Sequence, residues 1–511
     1  MGLRDLQTNH GQLKFLRRAA RPYRLNPDLL KDASTLAPAL NTPSDALIAR
    51  FTEIVGEQNA LRRAEDQAAY LKEWRDLYTG KTPVVLRPGS TAEVSRILAL
   101  ANEARVAIVP QAGNTGLVGG QIPVESGSEI VLSLSRLNKV RALDAESGTL
   151  VLDSGVTLAE TQKIAADAGW LFPLSLASEG SCQIGGVLAT NAGGVAVLSY
   201  GNARALALGL EVVLANGEIW DGLRILKKDN TGYDLRDLFI GSEGTLGVIT
   251  AAALKLSPAP AEKATALVAV SSPKDALALL RLAQAQVHSS LTAFEFWSRL
   301  AMQFALDFLS GTRDPFANVH PWYVLIEISS GQTGGRAAAQ MEDLLVKASE
   351  EGLLRDAVIA ASIQHARDLW RLRESLSEAQ KPAGGSIKHD ISVPVARIPE
   401  FLERAGGVVE GVCPGARPVP FGHFGDGNIH YNVTQPAGMA REAYIALWHD
   451  MSYAVHALVA SMGGSISAEH GIGRLKRDEL PLRKSSVEMG LMRAIKQAFD
   501  PNGILSPGRV V

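Results

Sequence analysis

Hydrophobic and polar positions alternate along the chain with two different periods, and the changes of period predict a succession of strands and helices. Short apolar runs predict strands at residues 82–86, 106–110, 129–134, 149–152 and 210–214. Apolar positions at helical spacing predict helices at residues 91–105 and 158–168, the first beginning at the Ser90/Thr91 cap. This pattern, heavily punctuated by glycine, indicates an α+β domain that ends near Pro258.

A second domain is predicted after the Pro258-Ala-Pro260 segment, because clustered prolines interrupt regular structure. Residues 266–270 and 323–328 read as strands, and long helices rich in alanine, leucine and glutamate alternate with them. The tail contains a predicted helix at 487–499, and the first 48 residues read as a leader with a few short helices.

Composition and net charge argue against several classes of protein function. Hydrophobic residues make up 46% of the 511 positions and charged residues 20%, as in ordinary globular proteins. The net charge of −2 gives no electrostatic reason to expect binding to nucleic acid or acidic membranes. No apolar run reaches the roughly 18 residues of a membrane span.

The number of cysteines and the basic N-terminal segment give evidence about the cellular compartment of the protein. Only Cys182 and Cys413 are present, which argues against a disulfide framework and favours a reducing compartment. A basic segment runs from Lys14 to Arg24 without a hydrophobic signal core. We therefore expect the cytoplasm, with an organelle transit peptide as the alternative.

The most specific chemistry lies in two short motifs, PFGHFGDGNIHYN at 420–432 and SAEHG at 467–471. Asp426-Gly427 predicts a two-residue hairpin turn. That turn would place His423 directly opposite His430, with β-carbons roughly 4.5–5.5 Å apart on one face. Two imidazoles with a carboxylate delivered by Glu469 predict a metal site such as zinc. A polar turn with surface histidines is the alternative.

Neighbouring residues extend this site. Asn432 points to the same face as His430, because side chains repeat every two residues along a strand. Glu469 and His470 are adjacent and diverge, so Glu469 can complete a His-His-Glu site while His470 faces a neighbouring pocket. A free imidazole there suits general-base catalysis, since its ordinary pKa lies near neutrality. His470 as a fourth ligand, or as a cap of the following glycine turn, is the alternative.

Three glycine-rich segments, at 110–120, 180–194 and 229–250, lie beside predicted strands. Glycine permits positive φ and close approach of backbone amides to a phosphate. The first segment does not fit the GxGxxG dinucleotide fingerprint. Three such loops within one domain indicate a large, extended cofactor contacted mainly through the backbone, although each loop alone would be an ordinary turn.

Together, these loops and the two histidine motifs closely resemble the FAD-dependent D-2-hydroxyacid dehydrogenases of the VAO/PCMH flavoprotein superfamily. Within that family, the D-2-hydroxyglutarate dehydrogenases are most similar and the D-lactate dehydrogenases next. The resemblance covers roughly residues 50–511 and implies an α+β fold. A PCMH-type FAD-binding domain of two α+β subdomains is expected at 49–257. A cap domain with an antiparallel sheet, flanking helices and the metal site is expected at 258–470. A segment at 471–511 returns to the flavin domain, and 1–48 is the leader.

The resemblance implies FAD pyrophosphate at 113–120, the isoalloxazine near 178–194 and 201, and further contacts at 243–249. The implied FAD-binding residues are Gln111, Gly113, Asn114, Thr115, Gly116, Leu117, Gly120, Ser178, Gly180, Ser181, Gly185, Gly186, Thr190, Asn191, Gly194, Tyr200, Gly201, Glu243, Gly244, Val248 and Ile249. The flavin domain contains no histidine, and the position of Cys182 is not a tether in this family, so we expect non-covalent FAD.

Substrate binding is implied for Arg373, Ser377 and Lys388, which in the family bind the substrate carboxylate. Arg373 and Ser377 are spaced i, i+4 in a predicted helix, and Lys388 lies in a predicted strand with Asp390 and Ser392 on the same face. Threonine is usual in the hydroxyglutarate enzymes where Ser377 stands, which leaves the length of the substrate open. The alternatives are a helix-face ion pair for Arg373 and a solvated charge for Lys388.

The mechanism is a hypothesis. A divalent metal, zinc or alternatively manganese, is held by His423, His430 and Glu469 and chelates the 2-hydroxyl and a carboxylate oxygen of the substrate. His470 takes the hydroxyl proton while the C2 hydride passes to flavin N5. Asn432 adds a polar contact, and Asp426 is expected to be a turn residue or a partner of a ligand.

The expected reaction converts a D-2-hydroxyacid, first of all D-2-hydroxyglutarate, into the 2-oxoacid. D-lactate or glycolate is the nearest alternative substrate. From other classes, a flavin-free zinc hydrolase and a catalytically idle flavin-binding module are the alternatives. The electron acceptor stays open among electron-transfer flavoprotein, a quinone and a cytochrome, and a homodimer is an open alternative to a monomer.

Overall fold

The structure is a computed structural model that describes residues 39–511. Strands in the first half are β1 Ala60–Leu61, β2 Val85–Leu86, β3 Ala107–Gln111, β4 Glu129–Ser133, β5 Val140–Asp144, β6 Thr149–Asp153, β7 Trp170–Leu171, β8 Ala207–Val213, β9 Ile219–Gly222, β10 Val248–Lys255 and β11 Ser257–Pro258. Helices there are α1 Asp45–Val55, α2 Ala64–Leu71, α3 Thr91–Ala104, α4 Leu158–Asp167, α5 Ile184–Ala189, α6 Val197–Tyr200, α7 Ala203–Leu206 and α8 Arg236–Phe239.

A four-stranded sheet of order β1-β2-β4-β3, parallel except for β1, forms the first subdomain. Helices α1 and α3 pack on it through buried side chains such as Phe51 and Ile97. Helix α1 begins after Ser44, whose hydroxyl accepts the Leu47 N–H, and Ile48 lies in the core. Residues 45–48, the end of the predicted leader, therefore pack with this subdomain, whereas 1–38 lie outside the described residues.

An antiparallel five-stranded sheet of order β5-β6-β10-β8-β9 forms the second subdomain. Helices α4, α5 and α7 contribute to its core, where Leu158, Leu188 and Leu206 are buried. The two subdomains confirm the predicted α+β architecture, and the predicted strands and helices of this half differ from the observed ones mainly at their ends.

The second half contains β12 Glu262–Val270, β13 Leu291–Ser298, β14 Trp322–Ser330, β15 Asp356–Ile359, β16 Ser386–Ile387, β17 Asp390–Ser392, β18 Arg417–His423 and β19 Asn428–Thr434. Its helices are α9 Pro273–Val287, α10 Arg299–Phe308, α11 Arg336–Glu350, α12 Ile363–Glu374, α13 Leu376–Ala379, α14 Ile398–Val412, α15 Arg441–Ile445, α16 Trp448–Ser461, α17 Leu480–Arg483 and α18 Ser486–Phe499. Among residues 39–511, no helix is both long enough and apolar enough to cross a membrane.

One eight-stranded antiparallel sheet organises this second half, in the order β15-β12-β14-β13-β18-β19-β16, with β17 also paired to β19. Helices α9, α11, α14 and α16 cover one face, and α10, α12 and α13 cover the other. The predicted cap with an antiparallel sheet and flanking helices is confirmed. Its β13-β18-β19 segment carries the histidine motif into the site described below.

The C-terminal tail packs back on the first subdomain. The Ile108 N–H donates to the Ile504 carbonyl (2.8 Å), and Ile504 and Leu505 are fully buried in that core. The Arg509 guanidinium, also buried, forms an ion pair with both oxygens of Glu129 on β4. The last residues of the chain therefore pack against β3 and β4, and the predicted domain bounds stay a prediction.

Candidate active site

A cavity of about 1170 Å³ lies where the two flavin subdomains meet the cap. Its walls include the loop after β3, the segment 175–195 around α5, the loop before β10, and cap residues from α12, β18 and β19. The glycine segments and the histidine motifs, separated widely in sequence, therefore open onto one space.

Most residues predicted to bind FAD line this cavity. They are Gln111, Gly113, Asn114, Thr115, Gly116, Leu117, Gly120, Ser178, Ser181, Gly185, Gly186, Thr190, Gly194, Glu243, Gly244, Val248 and Ile249. Gly180, Asn191, Tyr200 and Gly201 do not line it. Asn191 instead accepts the Arg204 N–H, and Tyr200 lines a second cavity between the flavin domain and the cap. The glycine-rich pattern does not determine where the side chains of Asn191 and Tyr200 point.

The polar atoms without partners at the cavity wall fit an extended cofactor such as FAD. A β-carbon on Gly113 would lie 1.9 Å from the Ser181 carbonyl oxygen, so the glycine lets two cavity loops touch. The side-chain oxygens of Gln111 and Gln183 are buried at its wall and have no hydrogen-bond partner among the described residues. A bound molecule with N–H or O–H groups would satisfy them. Burial raises the pKa of the Cys182 thiol, which makes it a poor nucleophile; the non-covalent state of FAD stays a prediction.

The β18–β19 hairpin differs from the predicted one. His423 lies opposite Asn428, and His430 lies opposite Phe421, so the predicted direct pairing of the two histidines is wrong. The turn spans four residues, 424–427, because the Asp426 carboxylate accepts the Asn428 N–H (3.1 Å) and closes a longer loop. The two histidines remain diagonal neighbours on one face, with ring centroids 5.5 Å apart.

His423, His430 and Glu469 come together as predicted, with one potential ligand atom from each within 4.8 Å of the others. The His423 Nε2 lies 3.4 Å from the Glu469 Oε1. That oxygen also accepts the Gly194 N–H (2.9 Å), and a β-carbon on Gly193 would lie 2.7 Å from it. The flavin domain thus positions the carboxylate. Two imidazole nitrogens and a carboxylate oxygen form a donor set suited to zinc, so these residues fit a divalent cation.

Asp390, buried on β17, organises the same region. Its carboxylate accepts the backbone N–H groups of Glu469 and His470 (both 2.9 Å) and the Asn428 amide (3.0 Å). It also lies 3.7 Å from the His430 Nδ1 and 3.6 Å from the His470 Nδ1. Burial opposes ionisation, but the surrounding His470, Lys476 and His430 and the Glu469 N–H hold the pKa of this carboxyl well below its usual range. One anion therefore orients both imidazoles.

The four predicted substrate residues, Arg373, Ser377, Lys388 and Asn432, all line the cavity. The Lys388 Nζ donates to the Ser377 hydroxyl (3.1 Å). Arg373 is buried and its Nε has no hydrogen-bond partner among the described residues. These groups form a polar cluster beside the histidines that can receive an anion.

Two details of that prediction are wrong. Arg373 and Ser377 do not share one helix, because α12 ends at Glu374 and Ser377 lies in the short helix α13. Lys388 does not lie in a continuous strand with Asp390, because the chain leaves the sheet between β16 and β17. The tertiary fold, rather than a local period, brings these side chains together.

Comparison with known proteins identifies the family. The family model for an FAD binding domain matches residues 82–222, and the model for the C-terminal domain of FAD linked oxidases matches residues 259–510. A mitochondrial D-2-hydroxyglutarate dehydrogenase of Arabidopsis thaliana is 38% identical over 91% of this chain and 81% of its own length. The chain belongs to the FAD-linked oxidase family.

Further relatives show the breadth of the FAD-linked oxidases. A Schizosaccharomyces pombe protein named as a mitochondrial D-lactate dehydrogenase is 36% identical over 99% of this chain and 97% of its own length. The solved structure of p-cresol methylhydroxylase with substrate bound is 16% identical, with a TM-score of 0.72 over 93% of this chain and 98% of that one. The last comparison bears on the fold alone, and it agrees with the PCMH-type fold predicted from the sequence.

Burial and neighbouring charges shift the pKa values of His470, His423 and Lys388 in this FAD-linked oxidase. Burial lowers the pKa of His470 to about 4, so its imidazole is neutral at pH 7 and can accept a proton. Burial would also lower the pKa of His423, but the carboxylates of Glu295 and Glu469 raise it to about 9. Burial, with Arg75 and Lys381 next, lowers the pKa of Lys388 to about 7.

Sequence reasoning missed three residues that shape the site: Asp390, Glu295 and Arg75. Glu295 lies on β13 and contacts both His423 and Arg373. Arg75 follows α2 and lines the cavity from the flavin side. Glu295 could have been suspected only because it is a carboxylate within an apolar strand. Arg75 lies in no recognisable motif.

Proposed function

We propose that this chain oxidises a D-2-hydroxyacid, first of all D-2-hydroxyglutarate, to the corresponding 2-oxoacid, with FAD and a divalent cation. The observation that carries the proposal is that the FAD-type loops, the trio of His423, His430 and Glu469, and the cluster around Arg373 and Lys388 line one cavity. The name of the Arabidopsis relative supports the choice of substrate.

When bound, FAD supplies a two-electron acceptor and a divalent cation supplies a Lewis acid that acidifies an α-hydroxyl. His423, His430 and Glu469 would hold the cation. Asp390 lies near the Nδ1 of His470, which leaves Nε2 as the ring nitrogen that receives the hydroxyl proton. Neutral His470 is in the protonation state that this role requires.

Charge supports a dicarboxylate over a monocarboxylate. Arg373 is already paired with Glu295, but Lys388 and Arg75 also line the cavity and lie close enough to act on each other electrostatically, which suits a second carboxylate. A second carboxylate near Lys388 would favour its charged form, which burial disfavours in the free protein. Ser377, through its contact with Lys388, fixes the position of that ammonium group.

The test is anaerobic mixing of the purified, FAD-loaded protein with D- and L-2-hydroxyglutarate, D-malate, D-lactate and glycolate, while the absorbance of oxidised flavin is followed. We expect D-2-hydroxyglutarate to bleach the flavin fastest and the L-enantiomer to be inert. Absence of bleaching by every 2-hydroxyacid would refute the proposal. An active but flavin-free protein would favour the zinc hydrolase instead.

D-lactate is the second candidate substrate. The name of the S. pombe relative favours it, and Ser377, which stands where threonine is usual in the hydroxyglutarate enzymes, leaves the length of the substrate open. Steady-state rates with the two acids decide the matter, and a lactate preference above about tenfold, equal to about 1.4 kcal/mol, would replace D-2-hydroxyglutarate.

The electron acceptor and the compartment are separate proposals. Electron-transfer flavoprotein, a quinone and a cytochrome are the candidates for reoxidation, and the rate at which each restores the oxidised flavin ranks them. The cytoplasm was predicted from the cysteines, while the two relatives described above are named as mitochondrial. Imaging a fluorescent fusion of the full chain, and of one without residues 1–38, tests whether the basic segment acts as a targeting signal.

A further inference from the structure

Glu295 is a buried carboxylate that joins two parts of the site. It lies on β13 directly opposite His423 on β18, and only 1% of its surface is exposed. Its Oε1 accepts from the His423 Nδ1 (2.8 Å), and its Oε2 lies 2.6 Å from the Arg373 Nη2. Each oxygen therefore contacts one partner. His423 belongs to the cation trio (His423, His430 and Glu469), and Arg373 belongs to the anion cluster (Arg373, Ser377, Lys388 and Asn432).

The two contacts of the Glu295 carboxylate depend on each other. A buried carboxylate is costly unless it is paired and hydrogen-bonded. Because one carboxylate is the partner of both His423 and Arg373, a change at either side chain alters the pairing of the other.

The contact with His423 also fixes the imidazole. Donation from Nδ1 to Glu295 selects the tautomer whose Nε2 is free, and that atom faces the Glu469 carboxylate at 3.4 Å. Carboxylates that hold metal-binding histidines in this way typically contribute about 10–100-fold to metal affinity or activity.

We propose that Glu295 is a positioning residue that couples the cation site to the anion-binding Arg373, so that the occupancy of one changes the affinity of the other. The inference deepens the proposed function and rests on it for the roles of His423 and Arg373. Glu295 itself does not line the cavity.

Glu327 offers a matched control on the adjacent strand β14. It too is a buried carboxylate, with the Lys263 Nζ at 2.9 Å and the Trp370 Nε1 at 2.9 Å, and it does not line the cavity. Glu327→Gln therefore removes a buried charge from the same sheet without touching the trio or the anion cluster.

The experiment measures the zinc affinity of FAD-loaded protein by competition with a chromophoric chelator, which requires no turnover. We expect Glu295→Gln to weaken zinc binding about 10–100-fold, and Glu327→Gln to stay near the wild-type value. Arg373→Met is then measured alone and combined with Glu295→Gln. Coupling predicts that the combined effect departs from the product of the single effects by more than about twofold, the usual limit for independent sites.

Glu295→Asp is the second variant, in case Glu295→Gln does not fold. It keeps the charge but is too short to reach both partners, and zinc affinity between wild type and Glu295→Gln is expected. Wild-type zinc affinity in Glu295→Gln, or single effects that simply multiply, would overturn the coupling while leaving the proposed function intact. Wild-type protein that binds no zinc would overturn both.

Discussion

Replacing Gly193 with alanine tests whether the flavin domain positions the carboxylate of the cation trio. The new β-carbon would lie 2.7 Å from the Glu469 Oε1, whereas ordinary contacts begin at 3.4 Å, so the oxygen must retreat by about 0.7 Å. The backbone φ of Gly193 is not positive, so alanine itself is tolerated there. The carboxylate would lose its 2.9 Å bond from the Gly194 N–H or its approach to His423.

Loss of an outer partner of a ligand typically weakens metal binding about 10–100-fold. The assay is the zinc affinity of Gly193→Ala by chelator competition, with the flavin content measured in the same sample. Gly407→Ala is the control, because a β-carbon there meets no atom of residues 39–511 within 4 Å and Gly407 lies in the remote helix α14. Unchanged zinc affinity in Gly193→Ala at full flavin content would refute the claim that this loop holds Glu469.

Three further predictions follow from other contacts. His470→Gln should keep FAD and zinc but lower kcat about 10²–10⁴-fold, as expected for loss of a general base; turnover near wild type would exclude that role. Lys388→Met should raise KM for D-2-hydroxyglutarate far more than for D-lactate, because it removes the cation bonded to Ser377; equal changes would place Lys388 outside the second-carboxylate site. Arg509→Met should lower the free energy of unfolding by about 3–5 kcal/mol, because Glu129 becomes a buried unpaired charge. Urea unfolding measures this loss, Arg509→Met/Glu129→Gln should recover part of it, and an effect below about 1 kcal/mol would contradict the reasoning.

Local sequence signals predicted the elements of the site better than its geometry. The helix at α3 and the strand β4 differ from prediction by one residue at one end, because an apolar period and the Ser90 cap are local properties. The hairpin was placed in the right segment, yet its register was off because the Asp426 side chain closes a longer turn than the Asp-Gly pair predicts.

Contacts between residues far apart in the sequence could not be predicted from local patterns. Glu295 reaches His423 over a separation of 128 positions, and Asp390 reaches the amides of Glu469 and His470 over about 80. Their partners are set by strand order, which no local period encodes. The FAD loops were found because glycine marks close backbone contacts, but glycine says nothing about neighbouring side chains such as Tyr200, which faces a different cavity.

The most direct test of the account is the single-turnover rate of flavin reduction by D-2-hydroxyglutarate in FAD-loaded, zinc-free protein, before and after zinc is added. We expect slow or absent bleaching without zinc, and a rate that rises and saturates near one zinc ion per chain. The rise should be lost when His430 is replaced by alanine. Rapid bleaching that is indifferent to zinc and to His430→Ala would contradict the central claim that the cation held by this trio makes the α-hydroxyl reactive.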